Sequence, residues 1–122
     1  MAETVAPHQQ TAIVTGGSRG LGRGIAQALA ARGVHVVALA RDVVGLEALA
    51  RELRDVEPVT ADAADETFAA RLLQERRPDL VVLCAGASAL LRPLHLHSWE
   101  TLSLNWEVNA KSVFVWLRKA LL

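Results

Sequence analysis

Four short apolar runs alternate along the chain with stretches whose apolar residues recur every three or four positions. The runs are Ala12–Thr15, Val34–Leu39, Val56–Thr60 and Leu80–Cys84, the third being the weakest. The first, second and fourth are continuously apolar rather than alternating, as expected of parallel strands covered on both faces. After the first run, Leu21, Ile25, Ala28 and Leu29 predict a helix over about residues 20–32, closed by Gly33 as its C′ residue. Asp42 reads as the N-cap of a second helix, with Leu46, Leu49, Ala50 and Leu53 on one face. A third helix starts near Asp65, brings Phe68 and Leu72 together, and ends before Pro78. Ala87–Leu96 has no clear period and contains Pro93, so it reads as a loop. A last helical region runs from about Ser98 onward, with a break expected before Asn105.

This strand–helix alternation predicts an α/β fold with a parallel sheet and right-handed crossovers. Residues 1–10 read as a flexible N-terminal tail, without the cationic start and apolar core of a signal peptide. Residues 11–122 read as one domain. Composition narrows the picture mainly by exclusion. Apolar residues make up 52% of the chain, which argues against disorder. Thirteen basic residues balance 13 acidic ones and are scattered, so neither nucleic acid nor a membrane surface is expected as a partner. No apolar run approaches the roughly 18–20 residues of a membrane span. One cysteine permits no internal disulfide and no cysteine-based zinc site, and the expected setting is cytoplasmic. His95 and His97 lie two apart in a loop without a neighbouring carboxylate pair, so no metal site is expected. Trp99, Trp106 and Trp116 read as core or interface residues, and Glu47, Arg51, Glu52, Arg54 and Asp55 as a solvated face.

Candidate chemistry concentrates in Thr11-Ala-Ile-Val-Thr-Gly-Gly-Ser-Arg-Gly-Leu-Gly22. It combines a strand, a glycine-rich loop and the start of a helix. Such a loop aims backbone N–H groups and the positive end of the helix dipole at one point, which suits a pyrophosphate. Glycine lets the chain turn tightly and lets phosphate oxygens approach the backbone. Gly16, Gly20 and Gly22 are the primary site residues, with Leu21 in the same loop. Ser18 reads either as a hydrogen-bond partner of a phosphate or ribose oxygen, or as a helix cap.

The pattern Thr-Gly-x-x-x-Gly-x-Gly in this setting resembles the cofactor loop of the short-chain dehydrogenase/reductase family. The resemblance continues through nearly all of the chain from Thr11. Asp62, after the third run, is similar to the family's adenine-contacting Asp; read alone, it caps a turn before Asp65. Cys84-Ala85-Gly86 ends the fourth run where the family usually has Asn-Asn-Ala-Gly. Ala85 and Gly86 are thereby implied to lie against the nicotinamide ribose. Cys84 replaces an amide, which puts the bracing of that turn in question. Asn109, in Trp106-Glu-Val-Asn-Ala-Lys-Ser-Val-Phe114, resembles the catalytic Asn that holds a helix kink in the family; read alone, it fixes a helix irregularity.

The resemblance implies a Rossmann-like doubly wound sheet with strand order 3-2-1-4, truncated after about four strands. It also implies a fifth strand with a catalytic Ser and a following helix with Tyr-x-x-x-Lys. Neither is found here, and the chain contains no tyrosine. The apolar stretch Val113–Leu122, without a stop signal or polar tail, is read as a fold cut short. Cofactor choice is legible at the end of the second run. An acid there accepts ribose hydroxyls and favours NAD. The place falls at Ala40, followed by Arg41, with Arg19 across the pocket. Two guanidinium groups and no acid at Ala40 favour a 2′-phosphate, hence NADP(H) over NAD(H); the alternative is that both arginines are solvated surface charges. The expected function is the cofactor-binding half of an NADP(H)-dependent short-chain oxidoreductase, inactive as this chain alone. The alternative is a non-catalytic dinucleotide-binding or partner-docking module. The expected partners are the dinucleotide and either a second copy, through the last helix, or a chain supplying the missing strands.

Overall fold

The computed structural model describes residues 8–87 and 90–122. Four parallel strands form one sheet in the order β3-β2-β1-β4: β1 (Thr11–Thr15), β2 (His35–Ala40), β3 (Val56–Thr60) and β4 (Leu80–Leu83). Helices α1 (Gly20–Ala31), α2 (Val43–Glu52) and α3 (Glu66–Arg76) connect them. Beyond β4 come a 3₁₀ turn (Leu94–Leu96), α4 (Trp99–Asn105), a π-helical segment (Trp106–Ala110) and α5 (Lys111–Ala120).

The strands are central or peripheral for reasons visible in their residues. β1 pairs with both β2 and β4, Ile13 standing opposite Val37 on one side and Val81 on the other. Alternate residues feed two cores. Ala12, Val14, Val36 and Ala38 pack with Ala26 of α1 and Leu46 and Leu49 of α2. Ile13, Val37 and Leu39 pack with Ala69 and Leu72 of α3 and with Val115 and Trp116 of α5. The Trp116 ring is fully buried, and its Nε1–H donates to the Ala63 carbonyl at 2.9 Å. β3 lies at one edge, where Pro58, lacking an N–H, is tolerated. β4 lies at the other edge and is strongly apolar, as the order 3-2-1-4 implied.

Helix starts follow the expected caps. Asp42 accepts from the Gly45 N–H at 3.1 Å, and Asp65 from the Phe68 N–H at 3.1 Å. Ser98 and Thr101 form a capping box at the start of α4. The helix irregularity is placed differently from the expectation of a break before Asn105. The helix runs through Asn105 and is interrupted after it, by the π-helical turn at Trp106–Ala110. A π turn inserts a residue without ending the helix, so no Gly or Pro marks it in the sequence.

Residues 1–7 of the expected tail lie outside the described residues. Its last three are held by the domain rather than free. Gln9 Nε2 donates to Gly33 O and Asp55 Oδ2, Gln10 O accepts from the His35 N–H, and His8 stands 3.5 Å from Asp79. At the same end of the sheet, Arg76 pairs with both carboxylate oxygens of Glu57, whose hydrogen bond raises the Arg76 pKa above the ordinary arginine value.

Candidate functional site

The carboxyl ends of the strands open into a cleft of about 670 Å³. Its walls come from the β1–α1 loop, the end of β2, the Ala61–Ala64 turn, Leu83–Ala87 after β4, and Val108 and Ser112. The structure brings Gly16, Ser18, Arg19, Gly20, Leu21, Gly22, Arg41, Asp62, Ala85 and Gly86 together on this one cleft. Asn109 is not on its wall; it lines an adjoining groove with Trp106 and Val113.

The glycines have separate physical reasons. A Cβ on Gly16 would lie 2.6 Å from the Cys84 carbonyl oxygen, and a Cβ on Gly22 would overlap the Gly16 carbonyl oxygen. β1, β4 and α1 therefore meet through bare backbone at the floor of the cleft. Gly20 is different: its φ is +58° and nothing lies within 4 Å of where a Cβ would stand. Its side faces open space at the head of α1.

That helix head carries the strongest signal. α2, α3 and α4 are each capped by a side chain, Asp42, Asp65 and Ser98. α1 has Arg19 as its N-cap, no side-chain capping bond and no acidic residue in its first turn. A helix start leaves several backbone N–H groups without intrahelical partners. Among the described residues the N-cap makes no side-chain bond to them, and the dipole favours an anion. Ser18 is not the cap, which sets aside its reading as a capping residue. Arg19 holds the N-cap position, and Ser18 is buried in the cleft wall beside Gly45.

The end of β4 is braced by a residue that the sequence reading did not single out. Thr15, 1% exposed, accepts through Oγ1 from the Cys84 and Ala85 N–H groups at 3.1 and 3.2 Å. The turn is thus held without an amide at Cys84. The signal for Thr15 was present: the only hydroxyl in its apolar run, placed at the run's end, directly before Gly16. Further along, Asn109 Oδ1 accepts from the Ala87 N–H at 2.8 Å. Gly86 allows that approach, since a Cβ there would come within 3.1 Å of the same oxygen. Ser112, also not foreseen, is buried and donates to the Asn109 carbonyl at 3.2 Å within the irregular turn.

At the far end of the cleft, Ala40 stands where an acid would sit, with Arg41 beside it and Arg19 on the same cleft. Asp62 Oδ1 accepts from the Ala64 N–H at 2.9 Å, which is the turn-capping role. A carboxylate has further lone pairs for another donor. His97 Nδ1 lies 3.2 Å from Thr101 Oγ1, and no group of three or more metal-ligating side chains occurs among the described residues. No helix among them is long and apolar enough to cross a membrane. Of the tryptophans, Trp116 is core, whereas Trp99 and Trp106 are about three-quarters exposed, at 74% and 76%.

A family model described as short chain dehydrogenase matches residues 10–122. Human L-xylulose reductase is 38% identical over 101 residues, covering 83% of this chain and 41% of the relative. Pig carbonyl reductase [NADPH] 2 is 34% identical over 103 residues, covering 84% of this chain and 42% of the relative. The chain thus spans under half the length of these curated relatives. Among solved structures, a metagenomic short-chain oxidoreductase in complex with NADP aligns with a TM-score of 0.77 at 33% identity. It covers 90% of this chain and 54% of that one. An actinorhodin polyketide ketoreductase variant with NADPH aligns with a TM-score of 0.81 at 26% identity, over 93% of this chain and 46% of that one.

Proposed function

We propose, from the premise that this chain belongs to the short-chain dehydrogenase family, that it is the cofactor-binding half of an NADP(H)-dependent oxidoreductase. The observation that carries the reading is the head of α1, left without a side-chain cap behind the Gly16–Gly22 loop. The cleft's volume falls within the usual range of about 300–1,000 Å³ for small-molecule and cofactor sites. The backbone N–H groups of the first turn of α1 would hold the pyrophosphate, with Ser18 beside them. Asp62 would accept from the adenine amino group, and Ala85 and Gly86 would leave room for the nicotinamide ribose. Arg19 and Arg41 would face the 2′-phosphate. Asn109 would keep the turn after β4 in place beside the reacting end. When bound, the nicotinamide supplies or takes up hydride at a carbonyl or alcohol carbon.

The relatives and the solved neighbours whose names or titles carry NADPH or NADP support the cofactor class. The setting proposed is cytoplasmic. The exposed face of α5 and the β4 edge are assigned to a protein partner, either a second copy meeting the helix or a chain adding strands beside β4. Titration of the purified 122-residue chain with NADPH and NADH by calorimetry tests the cofactor reading. A preference for NADPH of roughly tenfold or more is expected, about 1.4 kcal/mol. Equal affinities, or no binding of either, would count against it.

A further inference from the structure

The adenosine end of the cleft holds one carboxylate that cofactor binding does not use. Asp42 lies on the cleft wall next to Arg41, and its Oδ1 accepts from the Gly45 N–H at 3.1 Å as the cap of α2. A Cβ on Gly45 would stand 2.6 Å from Asp42 Oδ2, so the second oxygen lies over the first turn of the same helix. Gly45 in turn packs on Ser18 of the glycine loop, a Cβ there meeting Ser18 at 3.1 Å. The carboxylate is therefore fixed by a backbone hydrogen bond at the place where α2 and the loop touch.

Resting on the NADP(H) reading above, we propose that Asp42 is a specificity-determining residue that opposes the 2′-phosphate. Arg19 and Arg41 attract the phosphate, while the Asp42 charge, held on the same wall, repels it. The residue serves the fold at the expense of the ligand. An acid at a helix N-cap satisfies an orphan N–H and suits the dipole. A phosphate seeking the same positive helix end meets that negative charge first. NADH carries a neutral 2′-hydroxyl there and meets no such penalty. The chain's preference for NADPH is thus smaller than its two arginines alone would set.

The test replaces the charge and keeps the cap. Asparagine and serine both cap well, so Asp42→Asn and Asp42→Ser should retain the parent melting curve within a degree or two. Calorimetry with NADPH and NADH on parent and variants reads the affinity ratio. Removal of one screened like charge at an exposed site should raise the NADPH-to-NADH ratio roughly three- to tenfold. The gain should shrink in high salt, which a change in packing would not do. A ratio that is unchanged or lower in both variants overturns the proposal while leaving the cofactor reading intact. A parent that binds neither dinucleotide overturns the cofactor reading, and this inference with it.

Discussion

The Thr15 hydroxyl oxygen accepts the Ala85 N–H at 3.2 Å, joining the end of β1 to the segment after β4, 70 residues away in sequence. The same oxygen accepts from Cys84 at 3.1 Å. One buried side chain therefore fixes the gap between the glycine loop and the segment assigned to the nicotinamide ribose. Thr15→Val keeps the shape and removes the acceptor. It should destabilise the fold by about 1–3 kcal/mol and weaken NADPH binding, whereas Thr15→Ser should do much less. Urea unfolding of the three proteins gives the comparison; a valine variant as stable as the parent would remove Thr15 from this role.

Two glycines of α1 should respond in opposite directions to the same substitution. Gly22→Ala drives a methyl into the Gly16 carbonyl oxygen. The expected loss is about 1–3 kcal/mol, the usual range for overpacking, together with loss of NADPH binding. Gly24, in the same helix, has nothing within 4 Å of a built Cβ. Gly24→Ala should stabilise by up to about 1 kcal/mol through helix propensity and leave binding unchanged. Equal thermal shifts for the two would contradict the close-approach argument.

Arg41→Asp places an acid next to Ala40 in place of a guanidinium. NADPH affinity should fall by tenfold or more, about 1.4 kcal/mol, and the preference should vanish or reverse toward NADH. Competition titration reads this directly; retention of the parental preference would show that Arg41 does not face the 2′-phosphate.

The purified 122-residue polypeptide should not turn over carbonyl or alcohol substrates by itself, because it holds no tyrosine to pass a proton. A substrate screen monitored by NADPH absorbance is the check. Turnover abolished by Gly20→Asp would require a proton donor among other side chains.

Self-association is expected at tens of micromolar. α5 buries Ser112, Val115 and Trp116 and leaves Val113, Phe114 and Leu117 exposed, while β4 ends the sheet with a bare apolar edge. Sedimentation velocity should show dimers or larger species. A single monomeric boundary with a cooperative melt would mean that these surfaces are tolerated in water.

The strands and the helix starts could be read ahead because each depends on a local feature, whereas the strand order came from the family resemblance. Continuous apolar runs mark β1, β2 and β4, and Asp42, Asp65 and Ser98 each stand at the start of a periodic stretch. The meeting of distant segments was less legible. Thr15 acquires its role only once Cys84 and Ala85 arrive beside it, and no spacing in the sequence announces that pairing. Asn109 was placed by resemblance rather than by pattern. Its contact with Ala87 depends on a turn type that hydrophobic periodicity does not encode. The double part played by Asp42, cap and cleft wall at once, follows from where α2 leans on Ser18, which is likewise a tertiary matter.

The π-helical turn at Trp106–Ala110 sets a phase. An α-helix advances about 100° per residue, so one residue taken up in the turn changes by about that angle which downstream positions face a given side, compared with an uninterrupted helix. α4 and α5 are two halves of one rod read out of step, and the step decides that Val115 and Trp116 meet the sheet. Chain length across these five residues is therefore a setting, like the tooth count of a gear, and their chemical identity is secondary to it. Adding one more residue there without a second such turn would swing the Trp116 indole off its Ala63 partner, whereas deleting one would let the helix run on regularly with that partner still in reach, and most single substitutions in the turn would leave the angle untouched.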